Sequence, residues 1–262
     1  MMLEAFDLSL LGPPLLAGVL VLASHVPLGM QVLSRGIVFI DLAVAQVAGL
    51  GALLAGLFGA EGHELATQLA AAAAALAGAL LLTWTDRRWP RLQEALIGTV
   101  FVLAATGGAL LLAGSPHGSE HLRDLLVGQV LWVGSEQLAV MAVVSLAVLA
   151  LRRGRPALRE GVGFYVLFAL AVTASVQVVG VFLVFSCLIL PALAVHGAGG
   201  RWRVPLALAV GLAGFVGGLA GAAAFDLPAG PAIVWSMAAA AATLAVLQGR
   251  LRPLAGTIEE MS

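Results

Sequence analysis

The sequence predicts a single all-α bundle of about nine membrane-crossing helices, and three observations carry that reading. The chain of 262 residues is 61% hydrophobic and only 10% charged, where a soluble domain carries about 25% charged residues. Its mean hydropathy is +1.06. Apolar runs long enough to span lipid recur from end to end, with short polar loops between them. A soluble fold of this size could not hide so much apolar surface, because a single core stops growing near this length. Lipid is therefore the expected solvent, and residues 1–262 are expected to form one transmembrane domain.

The runs fall at 10–33, 36–59, 65–84, 95–113, 135–151, 161–179, 180–197, 204–224 and 230–247, each near the twenty or so residues a crossing needs. The first is preceded by Glu4 and Asp7 without a cation. It therefore reads as a retained span, because a secretory signal begins with a basic region. The sixth and seventh runs are fused in sequence. As one helix they would reach about 50 Å against a hydrocarbon core of about 30 Å, so a break is expected near Gly180. One long tilted helix with a re-entrant piece would reduce the count to eight. In the eighth run Gly211, Gly214, Gly218 and Gly221 lie along one side, a spacing that lets helix backbones approach closely.

All 13 cationic side chains are arginine. With the amino terminus outside, the inner loops hold Arg35; Arg87, Arg88 and Arg91; Arg152, Arg153, Arg155 and Arg159; Arg201 and Arg203; and Arg250 and Arg252. Only Arg123 falls outside, an asymmetry that orients the bundle by the positive-inside rule. The absence of lysine excludes a P-loop ATPase site and a pyridoxal Schiff base. The net charge of -1 and the scattered arginines argue against nucleic-acid binding. Cys187 is the single cysteine, so no intrachain disulfide can form. No nucleophile elbow, zinc-protease helix or dinucleotide fingerprint is visible, and enzyme chemistry is not expected.

Charged groups inside spans are costly and functional by default. Asp41 is the clear case, in the second run. Its structural alternative is a helix cap or a pairing with Arg35. His25 and Gln31 lie in the first run, where hydrogen bonding to a neighbouring helix is the ordinary role. Thr173 and Gln177, four residues apart, share one face of the sixth run and form a candidate polar lining. The outer loop holds His117, Gly118, Ser119, Glu120 and His121, followed by Arg123 and Asp124. These match H-x-x-E-H, but Pro116 and Gly118 disfavour the helix that a protease needs. His117, Glu120, His121 and Asp124 could gather a cation; a solvated polar loop explains them as well.

Four stretches resemble the permease subunit of bacterial metal-ion ABC importers, the family that takes up zinc, manganese or iron. They are Leu33-Ser34-Arg35-Gly36 through Asp41 to Gly51; Ala95-Leu96-Ile97-Gly98-Thr99-Val100-Phe101; Asp124-Leu125-Leu126-Val127-Gly128-Gln129-Val130-Leu131; and Gln177 to Val184, with Leu190-Pro191-Ala192 beyond. They occur in the family's order. The resemblance implies a fold similar to the cobalamin-type importers and a multi-pass location in the bacterial cytoplasmic membrane. It implies a homodimer, cytoplasmic ATPase subunits that use ATP, an extracytoplasmic metal-binding protein, and no cofactor bound by this chain. Asp41, with Gln46, His25, Thr173 and Gln177, would then line the substrate pathway, Asp41 touching the metal. Arg152, Arg153, Arg155, Arg159, Glu160 and Gly161 would dock the ATPase. The sequence departs from the family's G-D-A-L-S-H in the second span. Ile40 replaces the glycine, Ala45 takes the histidine position, and Gln46 is the nearest polar residue. A gradient-driven secondary transporter, binding its substrate at the midplane through broken helices, is the competing class.

Overall fold

The computed structural model describes residues 8–60, 63–113, 126–196 and 200–248, and these are helical with no strand among them. In chain order the helices are α1 (Leu8–Arg35), α2 (Ile40–Ala55), α3 (Glu64–Arg88), α4 (Gln93–Leu112), α5 (Ser135–Gly154), α6 (Gly161–Val179), α7 (Val181–Ala194), α8 (Arg203–Phe225) and α9 (Ala229–Leu247). Eight of them are long and apolar enough to cross a membrane, and α7 is a shorter apolar helix. The all-helical membrane bundle expected from the sequence is thus observed.

The break near Gly180 is also observed, and its physics is legible. Gly180 separates α6 from α7 with φ 80° and ψ 162°, a conformation that a side chain could adopt only under strain. It lies against the backbone of Val127 and Gly128, and Gly128 itself has φ 72° and packs on Val179 and Gly180. Two of the stretches quoted above therefore meet, each bare of a Cβ where the other passes.

At 1.5 Å per residue α7 is roughly 21 Å long, shorter than a hydrocarbon core of about 30 Å. Burial compensates. Val181, Leu183, Val184, Cys187 and Leu188 are all excluded from the surface, because α1, α9, α8, α6 and α2 each pack against this helix. By contrast α3, α4 and α5 present Leu69, Leu80, Leu103, Leu110, Val143 and Leu146 outward, as lipid-facing helices do.

The most extensive pairing is between α8 and α9. Gly214 meets the backbone at Met237 and Gly218 the backbone at Ile233, while Gly211 receives the side chains of Leu22 and Pro191. Gly221 has open space at its Cβ position. The glycine series thus serves packing at three of its four positions.

Arg35, Arg152 and Arg159 meet at one end of the bundle. Arg152, at the close of α5, donates to Gln31 Oε1 (3.0 Å) and to the Pro27 carbonyl (3.3 Å) of α1. The turn Pro156–Arg159 then leads into α6. Its Arg159 Nε donates to the Arg152 carbonyl at 2.8 Å, and the Arg159 carbonyl accepts from Arg35 Nη2 at 2.9 Å and from Gln31 Nε2. Arg35 also stacks over the Phe164 ring, 4.3 Å from its centroid.

Candidate functional site

Asp41 sits in the first turn of α2, at the arginine-bearing end, and is fully buried. Neither carboxylate oxygen has a hydrogen-bond partner. Both structural alternatives for it therefore fail. No side-chain cap bond forms at this helix start, and Arg35 spends its guanidinium on the Arg159 carbonyl and the Phe164 ring. It is Glu94 of α4 that serves the α2 start, accepting from the Phe39 N–H at 3.3 Å. α7 packs on α2, and its Cys187 thiol is also fully buried.

His25 is fully buried but occupied locally. Its Nδ1 lies 3.0 Å from both the Ser24 hydroxyl and the Val21 carbonyl, and Ser145 of α5 reaches Ser24 at 3.5 Å. Its Nε2 has no partner. Gln46 is half-buried on α2.

At the opposite end of the bundle Thr173 and Gln177 line a cavity of about 360 Å³ together with Gln129, Trp132, Gln137 and Thr67. Ala48, Gly49 and Ala52 of α2 form its floor. A smaller neighbouring cavity of about 170 Å³ shares Gln137, Thr173 and Gln177 and adds Gln68. Thr173 and Gln177 of α6 are thus one wall of a larger neutral groove. Gln137 could have been found only with difficulty. Its Oε1 accepts from the Gly134 N–H at 3.1 Å, so in sequence it reads as an ordinary helix-start residue.

The structure separates the candidate pathway residues into three places within the chain. Thr173 and Gln177 are in the groove, Asp41 is at the far end of α2, and His25 is bonded on α1. Gln46 lines neither cavity. Among the described residues no three His, Cys, Asp or Glu side chains gather as a metal cluster. His117, Glu120, His121 and Asp124 lie outside the described residues.

Of the candidate docking residues, Arg153, Arg155 and Glu160 are exposed beside the Pro156–Arg159 turn, while Arg152 and Arg159 build it. Gly161, with φ 51°, opens α6 near the Arg87 guanidinium. A buried polar knot not anticipated from sequence lies one turn further in. Gln93 Nε2 donates to the Tyr165 hydroxyl (3.3 Å) and the Leu82 carbonyl (2.9 Å), and Gln93 Oε1 accepts from Thr85 at 2.9 Å. It ties the start of α6 to the α3–α4 connection.

The profile of the ABC 3 transport family matches residues 7–155 and 150–248, nearly the whole length. The chain belongs to the ABC 3 transport family. As an ABC 3 permease it is a multi-pass membrane component of an ABC transporter, a transport subunit. Solved structures share the fold. A chain of PsaBC from Streptococcus pneumoniae, in complex with Fab, superposes with a TM-score of 0.74 at 21% identity, over 94% of this chain and 95% of that one. A chain described as a metal-chelate type ABC transporter in an inward-facing conformation gives 0.64 at 19% identity, over 91% and 85%. No curated protein matches the permease in sequence. The close approach of Gly128 and Gly180 is thus a junction within the ABC 3 fold.

Proposed function

We propose that this ABC 3 permease moves a divalent transition-metal ion across the bacterial cytoplasmic membrane, zinc foremost, with manganese and iron as alternatives. Two copies form the pathway, cytoplasmic ATPase subunits drive alternating access, and an extracytoplasmic binding protein delivers the ion. The observation that carries the reading is Asp41, a fully buried carboxylate without a hydrogen-bond partner, where no other Asp, Glu or Arg among the described residues is a buried residue. Such a group persists in a membrane bundle where it serves a polar partner or a cation. The fold shared with a chain described as a metal-chelate type ABC transporter supports the same reading.

The ATPase is supplied by a partner, since a lysine-free chain has no P-loop. The docking surface is assigned to Arg152, Arg153, Arg155, Arg159, Glu160 and Gly161. Exposed charges on a turn clamped to α1 fit a contact that must pass on force. Uptake of radioactive zinc into proteoliposomes, with and without the ATPase and ATP, tests the proposal. Uptake that needs both is expected. Zinc uptake driven by a proton or sodium gradient alone would replace it with the secondary-transporter reading.

A further inference from the structure

We propose that the corner between α3 and α4 binds the phosphodiester headgroup of an anionic phospholipid, held by Arg88 and Arg91 beside a tryptophan brace. The inference is independent of which ion the permease carries and requires only that the chain spans a bilayer. Charge comes first. Arg87, Arg88, Trp89, Pro90, Arg91 and Leu92 are all exposed, so the exposed charges here are positive throughout. The two acids of the same stretch do not cancel them at the surface. Asp86 is half-buried. Glu94 is half-buried as well, with Oε1 engaged by the Phe39 N–H and Oε2 enclosed.

Geometry comes second. Trp84 of α3 and Trp89 of the connection meet edge to face, with ring centroids 5.2 Å apart and planes at 90°. Such a pair attracts beyond its buried area, and it fastens the connection back onto α3. The Arg88 guanidinium stands over the Trp89 ring, 5.7 Å from its centroid, within cation–π range. That contact holds the side chain without spending its N–H donors on a hydrogen bond, and two donors side by side match two phosphate oxygens. Arg91 follows in the short turn Pro90–Leu92. Arg87 is placed differently, beside Gly161 at the start of α6. The surface beneath then selects a lipid over a soluble anion. Leu80, Leu81 and Trp84 are exposed on the last turns of α3, and Leu92 is exposed in the turn itself. Exposed apolar side chains that adjoin exposed cations and tryptophans mark the boundary between hydrocarbon and headgroups. A lipid phosphate lies at that boundary with its chains against the leucines. A free phosphate gains nothing from them.

Native mass spectrometry of the full-length permease in detergent tests the site, after titration with phosphatidylglycerol, phosphatidylcholine or inorganic phosphate. The expected result is retained phosphatidylglycerol, bound about tenfold more tightly than phosphatidylcholine, with no retained phosphate. Arg88→Gln combined with Arg91→Gln should weaken phosphatidylglycerol binding by about tenfold. Trp89→Ala should weaken it by about threefold with both cations still in place. Arg153→Gln combined with Arg155→Gln removes the same charge from another exposed turn and should leave binding unchanged. Gel filtration and circular dichroism check that each variant folds. Equal retention of the two lipids, or full binding by the Arg88 and Arg91 variant, would overturn the proposal. So would an equal loss in the Arg153 and Arg155 variant, which would reduce the effect to diffuse charge. Inorganic phosphate held as tightly as the lipid would make the corner a soluble-anion site instead. Loss of ATPase association with phosphatidylglycerol binding untouched would make it a protein docking surface, and the lipid assignment would fall.

Discussion

The Asp41 centre and the amide groove stand at opposite ends of one helix, α2, and handle polarity in opposite ways. At the arginine-bearing end the Asp41 carboxyl group is fully buried, with no hydrogen bond to its oxygens. At the other end Gln129, Gln137, Thr173 and Gln177 line open space with neutral groups. Solvent access explains the contrast. An amide facing water needs no partner and exerts only a weak pull on an ion. A carboxylate shut away from water binds a cation far more strongly, because little screening remains. On the proposed metal-transport reading, the groove would admit an ion without retaining it, and the Asp41 centre would select one.

The largest effect that would break this comparison comes from Asp41→Leu. Metal uptake should fall more than about tenfold while the melting temperature holds or rises, since an apolar group of similar size often replaces a buried charge at no cost. A lower melting temperature with uptake retained would make Asp41 a structural residue. Gly180→Val comes next. It forces a β-branched side chain into positive φ and into the backbone at Val127 and Gly128, so a loss of at least about 2 kcal/mol is expected from strain and overlap. Thermal unfolding in detergent measures it.

How far these regions could be read from sequence differs for the same physical reason. Charge in an apolar run is conspicuous, so Asp41 stood out, and fused runs longer than the bilayer required the break at Gly180. Neutral amides in short loops and at helix starts carry no such signal, so Gln129 and Gln137 were invisible until the chain folded. Gln93 and Tyr165 escaped likewise, because their hydrogen bond joins residues far apart in sequence.

Charge reversal of Arg153 and Arg155 to glutamate probes the arginine-bearing end from outside. Both are exposed beside the clamped turn, so ATP hydrolysis coupled to transport should drop by about tenfold, as like charges set against a partner cost several kcal/mol. Unchanged coupling in a folded double variant would remove the docking assignment. The smallest expected effect is in the groove. Gln177→Leu should raise the half-saturating metal concentration no more than about threefold, the worth of one modest hydrogen bond. A larger shift would mean that the groove binds the ion itself.

The brevity of α7 has a consequence for how the chain is made. A helix of 14 residues is a poor substrate for insertion into lipid by itself, yet it ends up walled in by α1, α8 and α9. The last two of those walls leave the ribosome after it does. During synthesis α7 must therefore lean on α6, with which it forms one continuous apolar stretch, or wait at the insertion machinery until α8 and α9 arrive. The permease is in that sense completed from its carboxyl-terminal end, and a chain stopped before residue 203 would carry its most buried helix without the neighbours that hold it in the membrane.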